Sequence, residues 1–299
     1  MADLPLVSII TLNFNQTAAT CAFLESTKTL TYPRFEIIVI DNGSAVDPTE
    51  QIEAGKYPHT RLIIAGRNLG FTGGNNLGMQ KAKGEYIFLV NDDTEVTPDL
   101  LEKLLAPFER DEWVGVVSPK IKFYDHPTII QYAGFRSMNP FTGRTGAEGN
   151  QEVDRGQHDT SGETYGAHGA AMMIKREVIE KVGTFADIFF LYYEEWDWSA
   201  RIRRAGYKIF YQAEATIYHK ESLSIGKASA VKTYYLTRNR ILYMRRNSSR
   251  VELLAFFSFL VCFSIPKALI CYTCTLRFKH LRAFIRGVAW NVKHPLASV

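Results

Sequence analysis

Apolar and polar positions come in alternating blocks through the first 120 residues. Five short apolar runs predict strands, the fourth of them buried in a parallel sheet. They are Leu6-Val-Ser-Ile-Ile-Thr-Leu12, Phe35-Glu-Ile-Ile-Val-Ile40, Arg61-Leu-Ile-Ile-Ala65, Tyr86-Ile-Phe-Leu-Val90 and Val114-Gly-Val-Val-Ser118. Stretches at about 17–30, 68–83 and 98–110 read as helices between them, the first stopped near Pro33. Strands alternating with helices predict an α/β fold, a doubly wound and mainly parallel sheet with helices on both faces.

The pattern changes after Lys120. Residues to Thr164 are rich in Gly, Asn, Gln and Asp, with scattered aromatics, which predicts long loops. Order returns at Tyr165-Gly-Ala-His-Gly-Ala-Ala-Met-Met-Ile174, followed by a helix from Lys175 to Val182. Phe189-Phe-Leu-Tyr-Tyr-Glu-Glu-Trp-Asp-Trp198 then sets three carboxylates in an aromatic run, and Ser199–Ala205 continues it as a basic helix ended by Gly206. Ala215-Thr-Ile-Tyr-His219 predicts a short strand. Near the C-terminus an apolar run of about 24 residues, Leu253–Leu276, is broken by Pro266-Lys267. Its length suits a membrane span. Yet Pro266 should kink it, and Lys267 near a bilayer centre is costly. Basic residues flank both ends, so the expectation is a helical hairpin dipping into the cytoplasmic leaflet. A buried helix pair packed on the preceding domain would show the same pattern.

Charge sharpens three places. The fourth strand stops at Asn91-Asp92-Asp93, and adjacent carboxylates at the carboxyl end of a buried strand repel unless a cation joins them. Mg²⁺ or Mn²⁺ takes such oxygen ligands and usually touches substrate phosphates. A solvated turn before a helix would carry the same residues. Thr11-Leu-Asn-Phe-Asn15 and Asp41-Asn42 end two other strands, so polar groups converge at one edge of the sheet. Glu194 and Glu195 fall in a first helical turn, where the macrodipole favours an ionised carboxylate and the aromatics exclude water, as a general base requires. Pairing with Arg201, Arg203 and Arg204 is the plainer role. His219 offers a nitrogen ligand.

Composition excludes little. With 46% apolar and 22% charged residues over 299, the chain is ordinary for a globular enzyme, and a net charge of +4 gives no reason to expect nucleic acid. The positive excess gathers in the last quarter, between Arg238 and Lys293. Four cysteines, at 21, 262, 271 and 274, form no disulfide framework and are expected reduced and buried. Met1-Ala-Asp-Leu-Pro lacks a signal-peptide pattern, which makes a cytoplasmic enzyme the expectation. Phosphate-loop and G-x-G-x-x-G signatures are missing, so P-loop and dinucleotide enzymes lose their support.

Several pieces occur together over about 240 residues: Val7–Asn15, Val39-Ile-Asp-Asn-Gly-Ser44, Asn68-Leu-Gly-Phe with Asn75-Asn76, Val90-Asn-Asp-Asp-Thr94, Gly169–Ile174, Phe189–Asp197, Ala205-Gly-Tyr207, His219 and Arg238-Asn239. In that order they resemble family 2 glycosyltransferases of the bacterial rhamnosyltransferase-like type, with the GT-A fold. The resemblance implies inverting transfer from a nucleotide diphosphate sugar, dTDP-rhamnose-like or a UDP-sugar, to a saccharide acceptor, lipid-linked, in cell-surface polysaccharide synthesis. By resemblance Asp41 and the loop carrying Thr11, Asn13 and Asn15 hold base and ribose, with Asn68, Gly70 and Asn76 on the same side. Asp93 is the principal metal ligand, Asp92 supports ribose or metal, and His219 completes the metal site. Arg238 steadies the leaving diphosphate. Glu195 stands where the family usually has an Asp base, so Glu194 and Asp197 stay open as alternatives. The resemblance divides the chain into a nucleotide-sugar half (1–120), an acceptor and catalytic half (121–225) and a membrane-associating helical region (226–299) on the inner face of the cell membrane. A sugar-nucleotide-forming nucleotidyltransferase shares the sheet and carboxylate pair, but would show a Gly-rich loop after strand one. A non-enzymatic membrane-surface protein leaves the acidic clusters unexplained.

Overall fold

The computed structural model describes residues 4–220 and 229–295. Its strands are β1 (Val7–Asn13), β2 (Phe35–Asp41), β3 (Thr60–Ile64), β4 (Tyr86–Val90), β5 (Thr94–Val96), β6 (Val114–Phe123), β7 (Ile130–Tyr132), β8 (Gly162–Thr164), β9 (Ala171–Lys175) and β10 (Lys208–His219). They form a single sheet in the order β3-β2-β1-β4-β9-β6-β10-β5. The β3-β2-β1-β4 half is parallel throughout, as the alternating pattern predicts. Beyond it the sheet is mixed. β9 runs antiparallel between β4 and β6, and β5 runs antiparallel to β10 at the edge.

Burial on both faces follows from period two. Ile9, Val39, Phe88 and Val90 point to one side, packing with α1 (Thr17–Thr27) and, after the short α2 (Thr49–Ala54) and α3 (Gly70–Lys81), with α4 (Leu100–Arg110). Ile10, Ile38, Ile40, Ile87 and Leu89 point to the other, under α3, α5 (Arg176–Val182) and α6 (Glu194–Arg204). On α4 the buried Leu100, Leu101, Leu104, Leu105 and Phe108 repeat at helical spacing along one face. α3 lies very close to β1 because Gly78 has no side chain: a Cβ there would sit 2.4 Å from Ile10 Cγ2. The same reason explains why the glycine-rich segment is a packed helix.

Residues 120–164 are less loose than their composition suggests. β7, β8 and isolated bridges between Ile129 and Val153, Phe135 and Ala147, and Asn139 and Arg144 tie them to the sheet. Pieces this short leave no periodic signal. β10 spans twelve residues where the pattern marked only its end.

The C-terminal region departs most from expectation. α7 (Ala230–Asn247) leads into α8 (Arg250–Phe259) and α9 (Ile265–Cys274), which form one continuous helix over Arg250–Cys274. The expected hairpin does not form. Pro266 is accommodated by a π-helical turn, Leu260–Ser264, immediately before it, so the helix widens instead of reversing. Only 11% of its most apolar window is buried, which also removes the buried helix pair. Cys262, Cys271 and Cys274 are consequently exposed thiols, not buried ones, and Cys21 is half-buried. α10 (Phe278–Lys293) returns alongside α7, where Thr233 Oγ1 meets His280 Nδ1 at 2.8 Å and Asn291 Nδ2 donates to Arg238 O at 2.9 Å. A third core, with Phe189, Trp196, Ile241, Met244, Phe256 and Leu260, joins these helices to the aromatic run.

Candidate functional site

A cavity of about 390 Å³ opens at the carboxyl ends of β1, β2 and β4. Two acidic clusters face it from opposite sides. Asp92 and Asp93 follow β4, while Glu194 and Glu195 begin α6.

Pairing of β5 with β10 sets Thr94 opposite His219 and so delivers the preceding Asp93 to the imidazole. His219 Nε2 lies 3.1 Å from Asp93 Oδ1. The two are close but not aligned as a hydrogen bond, and both atoms are buried without another partner. Gln131 Oε1 lies 2.8 Å from Nδ1, which orients the ring with Nε2 towards Asp93. Among the described residues no group of three or more His, Cys, Asp or Glu gathers at one point. One carboxylate and one imidazole nitrogen suit a divalent cation whose other positions go to phosphate and water. Asp92 Oδ2 accepts from Thr20 at 2.9 Å. Burial, then the neighbouring Asp93 charge, pushes the Asp92 carboxyl up to about 7. Such a pair is stabilised by a cation. His168, also lining the cavity, is held neutral by burial, its pKa lowered to about 3.

Glu195 is half-buried, but its Oε2 is sealed from solvent and unpartnered, as is Glu194 Oε2. Burial pushes Glu195 up to about 7, opposed by backbone hydrogen bonds at the helix start. Glu194 is pushed well above the usual carboxylate range by burial and then by Glu195. The aromatic turn before them is backbone-strained, with φ of +63° at Phe190, +68° at Tyr192 and +70° at Tyr193. It is clamped from two sides. Phe190 O accepts from Phe71 N at 2.7 Å, a contact that requires Gly70 at φ +74°, since any Cβ there would lie 2.5 Å from that oxygen. From α7, Asn239 Nδ2 donates to the carbonyls of Phe189, Leu191 and Tyr192 at 2.7–2.9 Å.

The predicted residues divide accordingly. Asp92, Asp93, Glu194, Glu195, His219, Asn68 and Gly70 line one cavity. Thr11, Asn13, Asn15, Asp41, Asn76, Asp197 and Arg238 do not. Asn13 Nδ2 donates to Asp41 at 2.9 Å, and Asn15 Oδ1 accepts from Ala45 N at 2.8 Å, so this set braces the loops, while Leu12, Phe14 and Asn42 present themselves to the cavity. Thr11 is fully buried in the sheet. Asn76 fastens Phe185 and Asp187. Asp197 is consumed by Arg201, Arg246 and Asn247; burial, the largest single influence, raises its pKa, but these hydrogen bonds and charges together hold it below the usual carboxylate value. Arg238 donates to the carbonyls of Ile188 and Phe189 and braces the strained turn. The α7 cation that lines the cavity is instead Lys232, its Nζ 5.8 Å from the Tyr192 ring centre. Gln131 and Lys232 carried no sequence signal, since each sits outside any recognisable local pattern, and His168 lay within the Tyr165–Ile174 run without being marked as a site residue.

The sequence profile described as "Glycosyl transferase family 2" matches residues 8–183. The chain is 32% identical to an uncharacterized protein of Sinorhizobium fredii over 82% of its own length, but spans only 28% of that protein. It is 26% identical to the N-acetylglucosaminyl-diphospho-decaprenol L-rhamnosyltransferase of Mycobacterium tuberculosis, covering 70% of this chain and 74% of that one. Among solved structures, a mannosyltransferase of Pyrobaculum calidifontis in complex with GDP-Man and Mn²⁺ superimposes with a TM-score of 0.63 at 15% identity, covering 97% of this chain and 88% of that one. The fold is therefore GT-A.

Proposed function

This chain belongs to glycosyl transferase family 2, and from that premise we propose that it is an inverting, metal-assisted transferase. Its donor would be a nucleotide diphosphate sugar, dTDP-rhamnose-like or a UDP-sugar, and its acceptor a lipid-linked saccharide. The carrying observation is the pair of buried, unpartnered atoms Asp93 Oδ1 and His219 Nε2, which share a cavity with Glu194 and Glu195. Asp93 and His219 would hold Mg²⁺ or Mn²⁺, supported by Asp92; when bound, the cation offsets charge developing on the leaving diphosphate.

The remaining steps belong to the chain itself. Asn42, Asn68 and Phe14 flank the nucleotide. Lys232 faces the diphosphate in the place expected of Arg238. Glu195 takes the proton as the acceptor oxygen bonds to the anomeric carbon. The bond from that carbon to the diphosphate oxygen breaks, and its electron pair leaves with the nucleoside diphosphate. One displacement inverts the configuration. Glu194, whose carboxyl burial and then the neighbouring Glu195 push well above the usual carboxylate range, sits beside the base.

The exposed apolar helix Arg250–Cys274 supports a membrane-surface location. Leu254, Val261 and Ile270 are 60–69% exposed along it. The helix lies beside α7 and α10, both packed on the rest of the protein, which supports reading it as lying along a bilayer surface. Flanking basic residues favour the cytoplasmic leaflet. The mycobacterial relative's name specifies a diphospho-decaprenol acceptor, which fits such a location.

Release of nucleoside diphosphate from a panel of UDP-, dTDP- and GDP-sugars tests the reading. The matching donor should turn over with Mn²⁺ or Mg²⁺ and stop in EDTA, and Asp93→Asn should lower the rate by about 10²-fold or more. Full activity of that variant in EDTA would refute it.

A further inference from the structure

A second cavity, about 740 Å³, lies between the catalytic body and the helix Arg250–Cys274. Tyr192 and Glu195 line both cavities, so they sit at the junction of the two. Otherwise its charged lining is cationic: Arg144, Arg240 and Lys267. Among the described residues, no carboxylate lies within ion-pair distance of any of the three.

Arg240 is the telling one. It is 5% exposed and its Nε is buried without a hydrogen-bond partner. Burial, then the nearby Arg144, lowers its pKa, so the unliganded protein holds two guanidinium groups against each other. Buried cations are costly unless paired. Arg144 comes from the bridged Asn139–Arg144 turn, which packs on α7 and α8 through Gly143, where Tyr193 Oη donates to Gly143 O at 2.9 Å. Lys267, which was costly when read as mid-bilayer, faces this cavity instead. The opposite wall is apolar. Phe259, Phe263 and Cys271 belong to the same helix whose outer side exposes Val261 and Ile270.

We propose that this second cavity is the acceptor site, and that Arg144, Arg240 and Lys267 bind the diphosphate joining the acceptor sugar to its lipid. The inference rests on the transferase reading above and specifies how the acceptor is held. Guanidinium groups match phosphate oxygens in pairs, and lysine adds a point charge. The lipid chain stays along the apolar helix while the sugar reaches Glu195 at the junction. The arrangement lets a membrane-bound substrate react without leaving the bilayer.

Calorimetric titration of the full-length protein in detergent, with farnesyl diphosphate as probe, tests this. Nucleoside diphosphate and Mn²⁺ are present at saturation to fill the donor cavity. Farnesyl diphosphate should still bind, about tenfold or more tighter than farnesol or inorganic pyrophosphate. Arg144→Gln combined with Lys267→Gln should weaken it by about tenfold or more. Arg240→Gln risks the fold, because the residue is buried; the two exposed positions avoid that. Displacement of the probe by nucleotide, equal affinity for farnesol, or an unweakened double variant would overturn the proposal. Nucleoside diphosphate binding, titrated separately, judges the donor reading. Its absence in the wild type would sink that reading by a different measurement.

Discussion

Glu195→Gln should cost activity and add stability, and the two effects should share one pH window. The Glu195 carboxyl is raised from 4.5 to about 7, chiefly by burial. Ionising it inside the fold therefore costs on the order of 3 kcal/mol. The side chain is half-buried, so screening trims this to about 2 kcal/mol. The sign follows from linkage. A carboxyl whose folded pKa lies above its unfolded value contributes stability that is intact below about 4.5. That contribution is lost as pH rises to about 7 and changes no further above it. Gln never ionises, so the variant avoids the loss. Its melting temperature should match the wild type at pH 4.5 and exceed it by a few degrees at pH 8. Transfer should move the other way. In the wild type, kcat/KM should rise with pH around an inflection near 7, as the base loses its proton. The Gln variant should lose about 10²–10⁴-fold with nearly unchanged donor affinity. Glu194→Gln replaces a group that is already neutral and should stay within about tenfold of wild type. Thermal melts and initial rates across pH 4.5–9 decide the matter. The base assignment fails if Glu195→Gln transfers normally while Glu194→Gln or Asp197→Asn is dead. The burial argument fails if the Gln variant gains no stability at pH 8.

Two other outcomes bear on the C-terminal helices. Asn239→Leu removes the donor shared by three carbonyls of the strained turn; Phe189 O keeps its bonds from Arg238 and Leu191, while the partly buried Leu191 and Tyr192 carbonyls lose theirs, at about 1 kcal/mol each. Hydrogen exchange should quicken over 189–193 and kcat should fall; unchanged exchange with normal kcat would discard the clamp. Leu254→Glu with Ile270→Glu removes two exposed apolar side chains from the membrane-facing side and should weaken binding to anionic vesicles by about 10²-fold or more. A wild-type chain that is soluble without detergent and ignores such vesicles would defeat the surface reading.

What the sequence made legible was whatever a short window contains. Asp92-Asp93 at the end of β4 and Glu194-Glu195 at the start of α6 are local signatures, and both line the cavity. The buried strands announced themselves by continuous apolar runs, down to the alternation of Ile9 and Ile10 between two cores. Other features depend on register between distant segments. His219 meets Asp93 only because β5 pairs antiparallel with β10, and β5 has three residues. Gln131 reaches His219 from β7, again three residues long. Arg238 is given to the diphosphate by resemblance alone, because its carbonyl partners, Ile188 and Phe189, lie some fifty residues away in sequence. Pro266 looked like a kink because the rule for proline assumes a regular α-helix before it, and here a π turn precedes it.

The basic excess of the C-terminal quarter reads differently once folded. Arg238 holds the strained turn, Arg240 lines the second cavity, Arg245 donates to Asn291, and Arg246 pairs with Asp197 at 2.9 Å. Four arginines that suggest a lipid-headgroup patch are thus spent inside the protein. α7 also supplies Lys232 to the first cavity, so one helix reaches that cavity, the strained turn before Glu194 and Glu195, and the second cavity. Residues beyond it brace α7: Phe256 and Leu260 share its core, and Asn291 bonds the Arg238 carbonyl. Truncation after Ser249 would therefore strip support from the catalytic turn along with the apolar helix. Loss of membrane binding and loss of transfer would then arrive together in the truncated chain. Only substitutions on the exposed side of the helix separate them, because that side touches neither the turn nor α7.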